Sequence, residues 1–170
     1  ARRGTPHTVS PAAGGGSSEA EFRTQNIAFY RIFEEDAEKY AVDMLTENSA
    51  RAWNPEYFLR TGRDMRDFVQ EAGIPRLHIN WDTGHGNVEG RDQYTDIMDM
   101  GEELHALHIQ DNEGNTDAHL MPMSGTTNFD DVLRGLIDSG YKGDFTFEGS
   151  NTIRRANSWP WYRRNVKDGD

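Results

Sequence analysis

The 170-residue chain carries a formal charge of −11, is 35% hydrophobic and contains no cysteine; its mean hydropathy is −0.86 and its pI about 4.9. That length suits one domain with a core of its own, and the acidic balance argues against a general binder of nucleic-acid backbones, which needs a basic excess. Disulfides and thiolate zinc sites are excluded, and no apolar run reaches the roughly 18 residues of a membrane span.

The first residues do not read as a signal peptide, so the expected compartment is cytoplasmic. The chain starts with Ala1 instead of Met, and a fragment is the expectation.

In chain order, strand-like and helix-like segments alternate. The first β-rich run is "HTVS" (7–10), followed by the Gly-rich "AAGGGSSE" (12–19). That stretch lacks both the GxGxxG spacing and the Lys-Ser/Thr of a phosphate cradle, and reads as a βα loop. Phe22, Phe29, Phe33, Ala37 and Tyr40 then recur at helical spacing and predict one helix over 21–40. "AVDMLTEN" (41–48) is the second strand. Met65, Phe68, Val69 and Ala72 mark a helix stopped by Gly73, Ile74 and Pro75.

"RLHINWD" (76–82) reads as a buried strand that breaks into a turn at "TGHGN". Ile97, Met98, Met100 and Gly101 fit a third helix, and "LHALHIQD" (104–111) a fourth strand. Phe129, Val132, Leu133, Leu136 and Ile137 form a fourth helix closed by Gly140, before the last strand "DFTFEG" (144–149). Strands repeating every roughly 30–40 residues have the period of a βαβ unit. Such repeats imply a parallel sheet covered by helices.

Ligands of parallel α/β sheets collect at the carboxyl ends of the strands. Four successive runs end there in charge: Glu47, then Asp82 with His85, then His108, then Glu148. Any one of them can be a helix cap. Together, three carboxylates and an imidazole converging on one volume require a cation to offset their repulsion and desolvation. That oxygen-rich set suits Mn²⁺, Mg²⁺ or Co²⁺ more than a structural Zn²⁺.

In the long loop 111–132, Asp117 and His119 flank Ala118, so on an extended segment both point the same way. This is the spacing of a ligand pair, and also that of an ordinary acidic surface turn. His78 shares a strand face with Asp82 and is expected to line the interior behind it. His105 has the opposite parity to the inward residues and is expected to face helices or water. Trp53 and Trp81 are candidates to stack on the apolar face of a ligand or to fill the core. Asp111 is expected to accept backbone hydrogen bonds in the loop after its strand.

The motifs "LTEN", "WDTGHGN", "LHIQDNEG…DAHLMPMSGTTNF" and "GYKGDFTFEG" together resemble the sugar phosphate isomerase/epimerase superfamily of xylose isomerase-like barrels, which includes the endonuclease-IV-type enzymes. The resemblance implies an α/β (β/α)₈ TIM barrel. Residues 1–170 would be a single, incomplete barrel domain carrying about strands four to eight, without strands one to three and the extreme C-terminus. "RRANSWPWYRRNV" (154–166) fits the last helix poorly and is expected to contact a partner or the absent half.

By that resemblance Glu47, Asp82, His108 and Glu148 hold one divalent cation, with Mn²⁺ preferred and Mg²⁺, Co²⁺ or Zn²⁺ as alternatives. Glu47 and Glu148 are also the acid–base pair that moves a proton beside a carbonyl through an enediolate. His85, Trp81 and His119 are implied as substrate contacts on a small sugar. In the nuclease branch His85, Asp117 and His119 would be further metal ligands of a zinc phosphodiesterase acting on abasic DNA. Few histidines and the acidic charge stand against that branch. "DNEGN" stands where ketose-3-epimerase types carry an Arg soon after the strand-seven histidine, which points toward sugar derivatives and away from free ketohexoses. A non-catalytic barrel remnant and a homo-oligomer are the remaining alternatives.

Overall fold

A computed structural model describes residues 7–8, 18–50 and 57–151. Their order is β1 (His7–Thr8), α1 (Glu19–Arg31), α2 (Glu34–Tyr40), β2 (Met44–Glu47), α3 (Gly62–Ala72), β3 (Leu77–Asp82), α4 (Thr83–Val88), α5 (Gln93–Met100), a short 3₁₀ turn (Gly101–Glu103), β4 (Leu104–Ile109), α6 (Phe129–Asp138) and β5 (Asp144–Phe147). Each strand pairs in parallel with the next, giving one sheet in the order β1-β2-β3-β4-β5. This consecutive parallel winding is the expected arc of a βα barrel.

Helix boundaries follow local chemistry. Ser18 and Glu21 form a reciprocal capping box at the start of α1, and Thr61 with Asp64 does the same for α3. Gly73, at φ 57°, ends α3 in the left-handed conformation that an L side chain resists.

The single helix expected over 21–40 is two helices. Ile32 and Phe33 donate their amides to Phe29 and Tyr30, three residues back, and this tightened turn ends α1. The buried face is consequently Phe22, Asn26 and Tyr30, at i, i+4 and i+8, while Phe33 and Tyr40 are exposed. The expected apolar face mixed residues from two separate helices.

The core lies between the sheet and α1, α3, α5 and α6, and includes Phe22, Tyr30, Met65, Phe68, Leu77, Ile79, Ile97, Leu107 and Val132. α5 and α6 approach closely at Gly135, where an added Cβ would lie 3.1 Å from Ile97 Cβ. The segment "TGHGN", expected as a turn, is the start of α4. β5 is the sheet edge, and Phe145 and Phe147 on it are exposed among the described residues. No helix among the described residues is long and apolar enough to cross a membrane.

Candidate metal centre

Parallel register places the four strand-end groups side by side. Glu47 and Asp82 are the last residues of β2 and β3, His108 pairs in register with Asp82, and Glu148 follows β5 directly. Glu47, Asp82 and His108 each bring one ligand atom within 4.8 Å of the other two. His108 Nδ1 lies 2.7 Å from Glu47 Oε1 and 3.4 Å from Glu148 Oε1. The structure thus assembles all four residues expected there.

The electrostatics fit a cation. Asp82 is fully buried. Burial pushes its carboxyl up to about 6, reinforced by the nearby Glu47 charge and opposed by His85 and Gln110. Burial disfavours the His108 imidazolium, but the hydrogen bond and charge of Glu47, with Glu148 and Asp82, hold its pKa above the ordinary value. Three carboxylates around one imidazole are a donor set for a hard divalent ion.

Asp82 has two tasks. Its Oδ1 caps α4 by accepting the His85 amide at 2.7 Å, while Oδ2 accepts from Gln110 Nε2 at 3.3 Å. Sequence reasoning missed the groups that hold it. Asn48 brackets the Asp82 backbone, donating through Nδ2 to its carbonyl at 3.1 Å and accepting its amide through Oδ1 at 2.6 Å. Gln110 Nε2 also donates to Asp117 Oδ1 and so joins the centre to the following loop. Tyr57 donates its hydroxyl to the Glu47 carbonyl. The available signal was the amide residue one or two positions beyond each acidic or histidine strand end, in "LTEN" and "HIQD".

Next to the centre, His85 Nδ1 lies 2.8 Å from the Asn48 carbonyl and Nε2 lies 3.6 Å from Asp117 Oδ2. Burial opposes the charged imidazole, yet the Asp117 hydrogen bond and the charges of Asp82, Glu47 and Asp117 raise its pKa to about 9. His119 Nε2 lies 3.0 Å from the same Asp117 oxygen. Asp117 and His119 meet across a bend, since His119 has φ 46°, and not along the extended segment expected. Among the described residues, His85, Asp117 and His119 do not converge as tightly as Glu47, Asp82 and His108 do. Asp111 accepts the amides of Asn112, Gly125 and Thr127. This is the loop-ordering part expected of it.

Three expectations need correction or lie elsewhere. Trp81 is fully buried and donates Nε1 to Gln93 Oε1 at 2.8 Å. Its neighbours Asn80 and Asp82 point inward, so strand alternation turns its ring toward the helices and away from any sugar. His78 keeps the parity of Asn80 and Asp82 on β3, as expected; the correction falls on His105, which stacks on it with ring centroids 3.5 Å apart. The cause is a register shift between Ile79 and Asn80: Ile79 pairs with Leu104 but Asn80 with Ala106, and His105 is the extra residue. A bulge of this kind breaks the parity on which its outward placement depended. Trp53, "RRANSWPWYRRNV" and most of the Gly-rich stretch lie outside the described residues.

A family model described as xylose isomerase-like TIM barrel matches residues 2–165. The chain belongs to that family. It is 33% identical over 90 residues to a ketose 3-epimerase of Arthrobacter globiformis, an overlap of 53% of this chain and 29% of that protein. A fructoselysine 3-epimerase of Escherichia coli O157:H7 is 39% identical over 74 residues, 44% of this chain and 27% of that one. The chain thus spans under a third of these relatives' length.

Among solved structures, a D-tagatose 3-epimerase-like protein superposes with a TM-score of 0.74 at 23% identity, covering 95% of this chain and 62% of that chain. The IOLI protein with a bound zinc atom superposes with a TM-score of 0.72 at 17% identity, covering 84% and 53%. At these identities the superpositions establish the fold.

Proposed function

We propose that this chain supplies the metal-binding and proton-transfer half of a sugar isomerase or epimerase acting on a keto sugar or a sugar derivative. One observation carries the reading: Glu47, Asp82, His108 and Glu148 meet at the carboxyl ends of four adjacent parallel strands. Similarity to a ketose 3-epimerase and a fructoselysine 3-epimerase supports proton transfer beside a carbonyl as the chemistry.

Glu47, Asp82, His108 and Glu148 would hold one divalent cation, Mn²⁺ by preference, whose bound charge supplies Lewis-acid polarisation of a substrate carbonyl. Glu47 and Glu148 both reach His108 Nδ1, so they flank the space above it. One removes the proton from the carbon beside the carbonyl, and the other returns it from the opposite side. His85 and His119 stand at the rim, bridged by Asp117, where they orient substrate oxygens. The residues at 1–170 act as one incomplete barrel domain, and the remaining cavity wall fixes which sugar enters.

The test is solvent-deuterium incorporation into a panel of ketoses and keto-sugar derivatives by the full-length Mn²⁺-loaded protein. The expected result is exchange at a single carbon beside the carbonyl, lost in Glu47→Gln and in Glu148→Gln. Cleavage of abasic DNA without any carbon-bound exchange overturns the proposal.

A further inference from the structure

The sheet has a second cluster of ligand-type side chains, at the end opposite the centre just described. Asp43 stands directly before β2, His78 lies near the start of β3 and His105 near the start of β4. Each brings one ligand atom within 4.8 Å of the other two, a bound that Glu47, Asp82 and His108 also meet. Nothing in the proton-transfer reading uses these residues.

We propose that Asp43, His78 and His105 form a second divalent-cation site, one that prefers Zn²⁺ or Co²⁺ and ties together the starts of β2, β3 and β4. The donor chemistry differs from that of the first centre. Two imidazoles and one carboxylate favour a borderline ion over Mg²⁺ or Mn²⁺. Glu103 supplies a fourth donor, its Oε2 lying 3.5 Å from His78 Nδ1. That buried Nδ1 has no closer hydrogen-bond partner.

The supporting contacts are those of a metal ligand held from behind. Arg76 Nη1 binds Asp43 Oδ1 at 2.9 Å, which leaves Oδ2 facing His105 Nδ1 at 3.7 Å. An outer partner of this kind fixes the carboxylate's orientation. The cluster opens on a cavity of about 790 Å³ whose walls include Arg76, Glu102, Lys142 and Asp144, so an ion has an entry path.

The stack of the two rings makes a specific demand. They are within 13° of parallel, so their in-plane lone pairs run side by side. Two ligands on one tetrahedral zinc are about 3.3 Å apart and aim at a common point. One ring must turn out of the stack, and His105, with 38% of its side chain exposed against 18% for His78, is free to do so. Binding therefore replaces a stacked pair with a bridged one. TIM barrels carry stability at this end of the strands and catalysis at the other, so the ion is structural.

The experiment uses the full-length protein stripped by chelator and titrated with Zn²⁺ in a calorimeter, with histidine ring ¹⁵N spectra recorded in parallel. Two binding events are expected. The double variant His78→Asn/His105→Gln loses one and keeps the other, while Asp82→Asn/His108→Asn loses the other and still gains thermal stability on adding Zn²⁺. The ring nitrogens of His78 and His105 shift in the wild type as the second equivalent is added. Unchanged stoichiometry in His78→Asn/His105→Gln overturns the proposal, as do unmoved ring signals at saturating Zn²⁺. If that variant fails to fold, the wild-type ring signals alone decide the matter. Because Asp82→Asn/His108→Asn removes the first centre, failure here is distinguishable from failure of the epimerase reading.

Discussion

His108 and Glu47, sixty-one residues apart in sequence, meet with Nδ1 2.7 Å from Oε1. The contact links the carboxyl ends of β2 and β4 across the intervening β3, whose own contribution is Asp82. A carboxylate, a second carboxylate and an imidazole at this spacing share one volume and are mutually dependent. Replacing Glu47 by Gln, or His108 by Asn, should lower Mn²⁺ affinity at this centre by more than the roughly 10- to 100-fold that loss of an outer partner costs. Calorimetry on the folded variants checks this. Because the ligands bind the ion deprotonated, Mn²⁺ uptake should also release protons, seen as a buffer-dependent binding heat.

Asn48 bonds to none of the candidate ligand atoms, yet it makes two buried hydrogen bonds to the Asp82 backbone. Asn48→Ala leaves an amide and a carbonyl of β3 without these partners, at about 1–3 kcal/mol for each buried group. The expected result is a lower denaturation midpoint and a loss of Mn²⁺ affinity within the 10- to 100-fold range of outer partners. Unchanged affinity in a destabilised variant would show that Asp82 is positioned by its capping of α4 and its bond to Gln110, without Asn48.

His85 carries the next prediction. In the metal-free chain its folded pKa is about 9, against about 6.5 for an unperturbed imidazole. Between these values the folded state holds a proton that the unfolded state has lost, so stability falls as pH rises. The contribution is complete below about pH 6.5 and gone above about pH 9. Chemical denaturation across this window should show a downward slope that His85→Gln reduces. A ring titration midpoint at or below the ordinary histidine value would contradict it.

Trp81 separates a core role from a sugar-stacking one. Its ring is fully buried and its indole N–H is satisfied by Gln93, which in turn donates to the Thr83 carbonyl at 2.9 Å. Trp81→Ala should cost about 3–5 kcal/mol of folding stability. Trp81→Phe should cost less, with the Gln93 oxygen left unpaired. Thermal unfolding measures both. A Trp81→Phe variant of native stability but weakened sugar binding would return the residue to the site.

How much of this was legible in the sequence varied with the range of the interaction. "LTEN", "NWDTGH", "HIQD" and "FTFEG" announced their polar residues because each ends an apolar run. A charged group at the same point of successive βα repeats is a pattern that needs no coordinates. Asn48 and Gln110 were not legible as positioning residues, since what they hold lies 34 and 28 residues away along the chain. The break after Ile32 was missed because an apolar repeat continues across it although the helix ends there.

Strand alternation, helix periodicity and the repeat of βα units are properties of neighbouring residues, and the sequence alone determined them. From these came the parallel sheet and the strand-end set Glu47, Asp82, His108 and Glu148, and the motifs around those residues carried the family resemblance. Tertiary structure decided what depends on register between strands. The shift at Ile79 and Asn80 brought His105 onto His78, and the packing of α5 brought Gln93 to the Trp81 indole N–H. A one-residue slip in pairing reverses the face on which a side chain emerges, and only packing of the assembled sheet selects the pairing.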